Sequence, residues 1–331
     1  MPDRVGTRTL RDPFGRPLEY LRLSVTDRCN FRCVYCLPSG CPRDRDPPLS
    51  LAEISRLVRA FAGLGFWKVR VTGGEPTLRA DICEVVRTVA STPGVRRVGL
   101  TTNGYRLAEL APGLRQAGLA ALNVSLDSLD RERFARLTGA DRMDGVVEGI
   151  GAAVEAGIPS IKVNAVLLRG LEDSELDRFL AWTRSLPLTV RFIELMQTGD
   201  NEEFFRSHHL SAEEIRRKLE ARGWSRLEKG AADGPAAMYR HPDHRGRAGL
   251  IAPYSSGFCA SCNRLRVSST GHLRLCLFGE EEVPLRQHLE GDGQRDALER
   301  LVELAVKGKP AAHRLKEGRC GSAATLAAIG G

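Results

Sequence analysis

Nine cysteines stand in the 331-residue chain, and six of them fall into two triplets. The first, Cys29, Cys33 and Cys36, lies in the run SVTDRCNFRCVYCLP. Three thiolates spaced in this way can wrap three corners of one iron-sulfur cubane. A four-iron cluster ordinarily takes four cysteines, so three leave one iron with an open position, as catalytic metal sites have, where a substrate can bind. A zinc ion completed by a distant residue is the bland alternative, but zinc is better served by a two-plus-two ligand set. The second triplet, Cys259, Cys262 and Cys276, lies in CASCNRLRVSSTGHLRLCLFGE. Two β-rich runs flank Ser269-Thr270-Gly271, so a hairpin can return Cys276 to the other two. Taken alone, this group fits both an iron-sulfur site and a zinc ribbon using His272 or a distant fourth ligand. Arg264 and Arg266 share one face of a strand and suit a phosphate or nucleobase beside the metal, although such a pair is usually surface charge. Cys41, Cys83 and Cys320 stand apart.

The elements that must position these thiols alternate along the chain. Short β-rich runs near Leu21 to Thr26, Trp67 to Thr72, Arg97 to Thr102, Ala121 to Leu126, Ser160 to Val166 and Thr189 to Leu195 are separated by helical stretches. That order predicts parallel strands with crossover helices. Ser50 with Glu53 predicts a capped helix start, and Ile54, Leu57, Val58 and Phe61 its apolar face. Buried parallel strands should read as continuous apolar runs, yet these alternate. Leu21, Leu23 and Val25 oppose Arg22, Ser24 and Thr26; Val69 and Val71 oppose Lys68, Arg70 and Thr72. Leu122, Val124 and Leu126 oppose Asn123, Ser125 and Asp127, and Ile161, Val163 and Ala165 oppose Lys162 and Asn164. Thr101 and Asn103 oppose Leu100 and Thr102 less cleanly. With the apolar faces under the helices, the polar faces enclose a basic interior. The expected fold is therefore α/β, an incomplete (open) TIM-type barrel of about six parallel βα units around a large anionic ligand, with a C-terminal cluster-binding region. The expected division is a partial barrel over 1–200, a connecting segment that closes it over 201–250, and a C-terminal region over 251–331.

Composition excludes some classes. The odd cysteine count argues against a disulfide framework and for metal or redox chemistry. MPDRVGTRTL has neither a signal core nor a transit helix, and no apolar stretch reaches membrane length, so a cytoplasmic protein is expected. The net charge of +8 is spread over scattered arginines and does not by itself select a partner. A non-catalytic zinc and nucleic-acid binding protein would leave the first triplet unexplained, and neither nucleic acid nor membrane is expected as a partner.

CxxxCxxC with an aromatic residue before its last cysteine resembles the signature of the radical S-adenosylmethionine (SAM) superfamily, and Thr72-Gly73-Gly74-Glu75-Pro76 resembles that superfamily's GGEP motif. Within it, the chain resembles the family of GTP 3',8-cyclases of molybdenum cofactor biosynthesis. That resemblance runs from Asp12-Pro13-Phe14-Gly15-Arg16 through YLRLSVTDRCNFRCVYC, VRVTGGEPTLR, LTTNGY, LNVSLDSL, KVNAV, RFIELMQTGD and FCASCNRLRVSS to Ile329-Gly330-Gly331. It departs at Cys41 to Pro48, which is shorter and richer in proline, and at the bland Leu326-Ala327-Ala328. The resemblance implies two 4Fe-4S clusters, the first on Cys29, Cys33 and Cys36 and the second on Cys259, Cys262 and Cys276. It implies SAM contacts from Tyr35, Gly74, Ser125 and Met196, and GTP contacts from Arg22, Arg70, Thr101, Lys162, Arg264, Leu265 and Arg266. It further implies a homodimer, an external electron donor, a downstream pyranopterin-forming enzyme, and a flexible Gly330-Gly331 tail that reaches the active site. No conventional acid-base residue stands out.

Overall fold

The alternation along the strands is the alternation of the two faces of one sheet. The computed structural model describes residues 9–37, 40, 46–228 and 234–322; Cys41 and Gly330-Gly331 lie outside them. The expected parallel strands are β1 (Tyr20–Ser24), β2 (Lys68–Thr72), β3 (Arg97–Thr102), β4 (Ala121–Ser125), β5 (Ile161–Leu167) and β6 (Thr189–Glu194). They are followed by β7 (Ser225–Arg226), β8 (Ala237–Arg240), β9 (Arg247–Ile251), β10 (Arg264–Val267), β11 (His272–Arg274) and β12 (Val283–Pro284). All join one sheet in the order β12-β11-β10-β1-β2-β3-β4-β5-β6-β9-β8-β7.

The parallel run is longer than the alternating pattern predicts. β10 pairs parallel to β1 and β9 parallel to β6, so eight consecutive strands run the same way, the outer two supplied by the chain beyond residue 200. β9 reads RAGLI inside a stretch rich in Gly, Pro and His. It is a strand because β6 offers it a partner edge, which its own sequence does not announce. Among the described residues β9 and β10 do not pair with each other, and each carries antiparallel strands outward instead. The result is an open barrel.

The helices are α1 (Leu51–Gly63), α2 (Ile82–Ala90), α3 (Leu107–Gln116), α4 (Arg131–Thr138), α5 (Met143–Glu155), α6 (Asp173–Ser185), α7 (Glu202–His208), α8 (Ala212–Ala221) and α9 (Arg295–Val306). α1 begins as its sequence predicts. The Ser50 hydroxyl accepts from the Glu53 amide, and Glu53 accepts from the Ser50 amide at 2.7 Å, which satisfies two otherwise orphaned donors. Ile54, Leu57, Val58 and Phe61 are fully buried, each side chain contributing about 1.5–3 kcal/mol of transfer free energy. They share one core with Leu21, Leu23, Val69, Val71, Leu122, Val124 and Val163. The apolar strand faces therefore lie under the helices, and the opposite faces are left to line the interior. No helix among the described residues is long and apolar enough to cross a membrane.

Candidate active site

The direction of the strands separates the two cysteine triplets. β1 delivers Cys29, Cys33 and Cys36 beyond its C-terminal end. β10 runs parallel to β1 and begins just after Cys262, which puts Cys259 and Cys262 at the opposite, N-terminal end of the sheet. β11 returns antiparallel to β10 and leaves Cys276 there too. Between the ends lies a cavity of about 600 Å³, within the range of small-molecule sites. All three cysteines of the second triplet line it.

The cavity wall is the polar strand face. Arg22, Arg70, Thr101, Lys162, Arg264 and Arg266 all line it, as the alternation along the strands predicts. Leu265 does not: its side chain is fully buried in the core, because it alternates with two arginines that face inward, so only its backbone is left for a ligand. Among the described residues, ten lysines and arginines line the cavity and no aspartate or glutamate does. Like charges in a low-dielectric space disfavour one another. Burial, then Arg191, Arg70, Arg97 and Lys68, bring Lys162 down to about 7. Burial chiefly lowers Arg191 and Arg266 to about 9 and Arg22 to about 10. Burial would raise the Tyr20 phenol, but Arg70, Arg22 and Lys68 outweigh it and hold the group near 7. The Oγ1 of Thr101, Nε of Arg266 and Oδ1 of Asn123 are buried with no hydrogen-bond partner among the described residues. Such groups are costly unless a ligand satisfies them. An anion with hydrogen-bonding edges fits this wall.

Arg70 is also part of the wall's framework. Its Nε donates to Tyr20 Oη at 2.6 Å and its Nη1 to the Leu100 carbonyl at 2.9 Å. Lys162 is less committed, donating to Ser160 Oγ at 3.0 Å. Sequence reasoning did not single out Arg191, Arg97 or Tyr20. The first was readable, since Thr189, Arg191 and Ile193 alternate with Val190 and Phe192; Arg191 reaches Asn164 Oδ1 at 2.9 Å.

At the other end, the glycines of GGEP are required by close backbone approach. A Cβ on Gly73 would stand 2.3 Å from the Thr26 carbonyl oxygen, and one on Gly74 2.3 Å from that of Arg28. The Gly74 amide donates to Thr26 at 2.8 Å and the Glu75 amide to Arg28 at 2.7 Å, which fastens the start of the cysteine loop to the neighbouring turn. Glu75 is fully buried and accepts from the Thr102 hydroxyl at 2.7 Å and the Asn103 amide at 2.6 Å. Tyr35 anchors the far side of the loop: its phenol donates to Asp127 Oδ2 at 2.6 Å, and its carbonyl accepts from Asn201 Nδ2 at 2.9 Å. Ser125 ends β4 and is half-buried, and Met196 follows β6 and lines the cavity. All four SAM candidates thus gather at the C-terminal edge, beside the first triplet.

Both triplets suit clusters. Burial, Asp127 and then the Cys36 and Cys29 thiols push the Cys33 thiol up. Cys259 is likewise pushed up by burial and then by Cys262 and Cys276. Each set is therefore close enough to interact. A cubane binds three thiolates at separate corners, which the three neighbouring thiols of either set can supply.

Residues 23–183 match the Radical SAM superfamily and residues 188–315 match Molybdenum Cofactor Synthesis C. The GTP 3',8-cyclase of Aeromonas hydrophila is 53% identical over 328 residues, spanning 97% of this chain and 96% of the relative. The GTP 3',8-cyclase of Pasteurella multocida is 49% identical over 329 residues, spanning 99% and 98%. The crystal structure of Streptococcus suis SuiB bound to S-adenosylmethionine superposes with a TM-score of 0.63 at 13% identity, spanning 88% of this chain and 68% of that one; this is a likeness of fold. With relatives this similar over nearly its whole length, the chain belongs to the GTP 3',8-cyclase family of the radical SAM superfamily.

Proposed function

We propose that this chain converts GTP to (8S)-3',8-cyclo-7,8-dihydroguanosine 5'-triphosphate, the first step of molybdopterin formation, in the cavity between its two cysteine triplets. The observation that carries the reading is a cavity lined by all three cysteines of the second triplet and reaching Met196 at the end of the sheet where β1 leads into the first triplet, with ten cationic side chains and no carboxylate among the described residues of its wall. Cys29, Cys33 and Cys36 would hold one 4Fe-4S cluster and Cys259, Cys262 and Cys276 the other. When bound with SAM, the first supplies a 5'-deoxyadenosyl radical, chemistry that belongs to the cofactor while the protein supplies position and shielding.

The reaction asks for loss of hydrogen from the ribose C3', formation of the C3'–C8 bond, and return of one electron and one proton, so the product is an isomer of GTP. This chain's residues hold and orient. Arg22, Lys162 and Arg191 bind the triphosphate, with Arg70 braced by Tyr20 behind them, and Thr101 offers its unpartnered hydroxyl. Arg264 and Arg266 face the second triplet and orient the guanine against it. The span between the two ends fixes C3' toward the SAM side, where Tyr35, Gly74, Ser125 and Met196 gather; such positioning is a large part of the rate available to an enzyme of this kind. The same reading includes a homodimer in the cytoplasm, an external one-electron donor, and a downstream pyranopterin-forming enzyme.

The test is an anaerobic incubation of the reconstituted protein with GTP, SAM and a one-electron reductant, followed by mass spectrometry. The expected result is 5'-deoxyadenosine together with an isomer of GTP. A colourless protein holding zinc and no iron would overturn the reading.

A further inference from the structure

The thiols of the second triplet come from two segments that the sheet does not hold together where it matters. The β10–β11 ladder pairs Val267 with Leu273 and Arg266 with Arg274, and there it ends. Continuing that register would set Arg264 opposite Cys276. Instead the Lys309 side chain stands between the segments, its Nζ donating to the Arg264 carbonyl at 3.1 Å and to the Leu275 carbonyl. The ammonium both ties the two arms and holds them apart. Lys309 is 4% exposed, and its hydrogen-bond partners among the described residues are carbonyls rather than a carboxylate. An ammonium buried without a counter-charge is costly; the groups close by that can supply negative charge are the thiols of Cys262 and Cys276.

Arg16 secures the remaining arm. Its Nε pairs with Asp12 Oδ2 at 2.5 Å, which aims the guanidinium. Nη1 then donates to the carbonyls of Cys259 at 2.9 Å and Ala311 at 2.6 Å, and Nη2 to that of Pro310 at 2.7 Å. Arg16 therefore joins the Cys259 backbone to the segment that carries Lys309. The N-terminal turn, the C-terminal segment and both cysteine-bearing segments meet through two cations at the carbonyls of Cys259, Arg264 and Leu275.

We propose that Arg16 and Lys309 are positioning residues for the second cluster, both fixing the spacing of Cys259, Cys262 and Cys276 and Lys309 also offsetting their charge once they bind iron. The proposal rests on the reading that this triplet holds a cluster. The first triplet, at the other end of the sheet, should not feel either residue.

The experiment compares the parent with Arg16→Gln and Lys309→Met after anaerobic reconstitution, measuring iron and sulfide per chain, the electron paramagnetic resonance spectrum of the reduced protein, and the change SAM makes in it. The parent is expected to hold about eight irons and each variant about four, since each cluster carries four, with the SAM-dependent change retained in both. Arg16→Lys and Lys309→Arg, which keep the charge, are expected to retain more of the second cluster, and they replace any neutral variant that does not fold. Two results would overturn the proposal: eight irons with an unchanged second-cluster spectrum in both neutral variants, or equal loss from both clusters, as general destabilisation would give. A parent that holds one cluster would take the proposed function down as well.

Discussion

Lys162 links the charge of the cavity to a pH dependence that can be measured. Burial and four neighbouring cations hold it near 7 in the free protein, so at pH 8.5 most molecules carry a neutral amine. A bound triphosphate restores the ammonium, and above pH 7.5 the phosphate oxygens are already ionised. Restoring the proton at pH 8.5 costs about 2 kcal/mol at 1.36 kcal/mol per unit, so this one residue should weaken GTP binding roughly fifteenfold between pH 7 and 8.5. The Tyr20 phenol, also held near 7, becomes an anion over the same interval and adds a similar effect. Lys162→Ala should therefore lose about 1.5–3 kcal/mol of binding at pH 7 and about half of the parent's pH slope, and Lys162→Ala with Tyr20→Phe should be nearly flat. Isothermal calorimetry of GTP binding to the anaerobic protein, in buffers of different ionisation enthalpy, counts the protons taken up. A parent that binds GTP equally at both pH values without proton uptake, or a Lys162→Ala variant with the parent's full slope, would refute the reasoning. The sign for stability is opposite: without ligand the unfolded chain holds a proton that folded Lys162 has released, so this group's contribution to stability rises with pH from about 7 toward its ordinary value near 10.5.

Replacing Cys29, Cys33 and Cys36 by Ala should abolish SAM cleavage, read as 5'-deoxyadenosine, and remove about four irons per chain. Replacing Cys259, Cys262 and Cys276 by Ala should stop GTP conversion yet leave some uncoupled SAM cleavage; normal cyclisation without the second cluster would contradict the assignment. Gly74→Ala forces a methyl group against the Arg28 carbonyl and should cost about 1–3 kcal/mol, visible in thermal unfolding of the iron-free protein. Arg87→Ala, on the exposed face of α2, should change stability by under about 0.5 kcal/mol and leave GTP affinity alone.

Much of the site was legible because a strand has only two faces. Arg22, Arg70, Thr101 and Lys162 could be assigned to one interior from alternation alone, before any resemblance was invoked, and they line the same cavity. Arg191 obeys the same rule and was overlooked. Leu265 differs from its neighbours: their side chains face the cavity, whereas its own lies in the core and leaves only its backbone toward a ligand. Other features have no local signature. That the two triplets lie at opposite ends of the sheet depends on β10 pairing parallel to β1, a contact between residues more than 240 apart. Arg16 and Lys309 likewise act through carbonyls brought in by the fold, and no periodicity in the sequence marks a buried cation whose partners are backbone atoms. The closeness of the Thr26 and Arg28 carbonyls to the glycines of GGEP likewise comes from the neighbouring strand and has no local signature.

The central claim is that one cavity brings the ribose of GTP to the SAM end while the second triplet holds the other end. GTP carrying deuterium at C3' tests it in one measurement, the isotope content of the 5'-deoxyadenosine formed during a single anaerobic turnover. One deuterium in the deoxyadenosine, with an equal amount of cyclised product, is the expected result. Unlabelled deoxyadenosine, formed while GTP is consumed, would mean that the hydrogen comes from elsewhere and that the cavity does not place C3' as described.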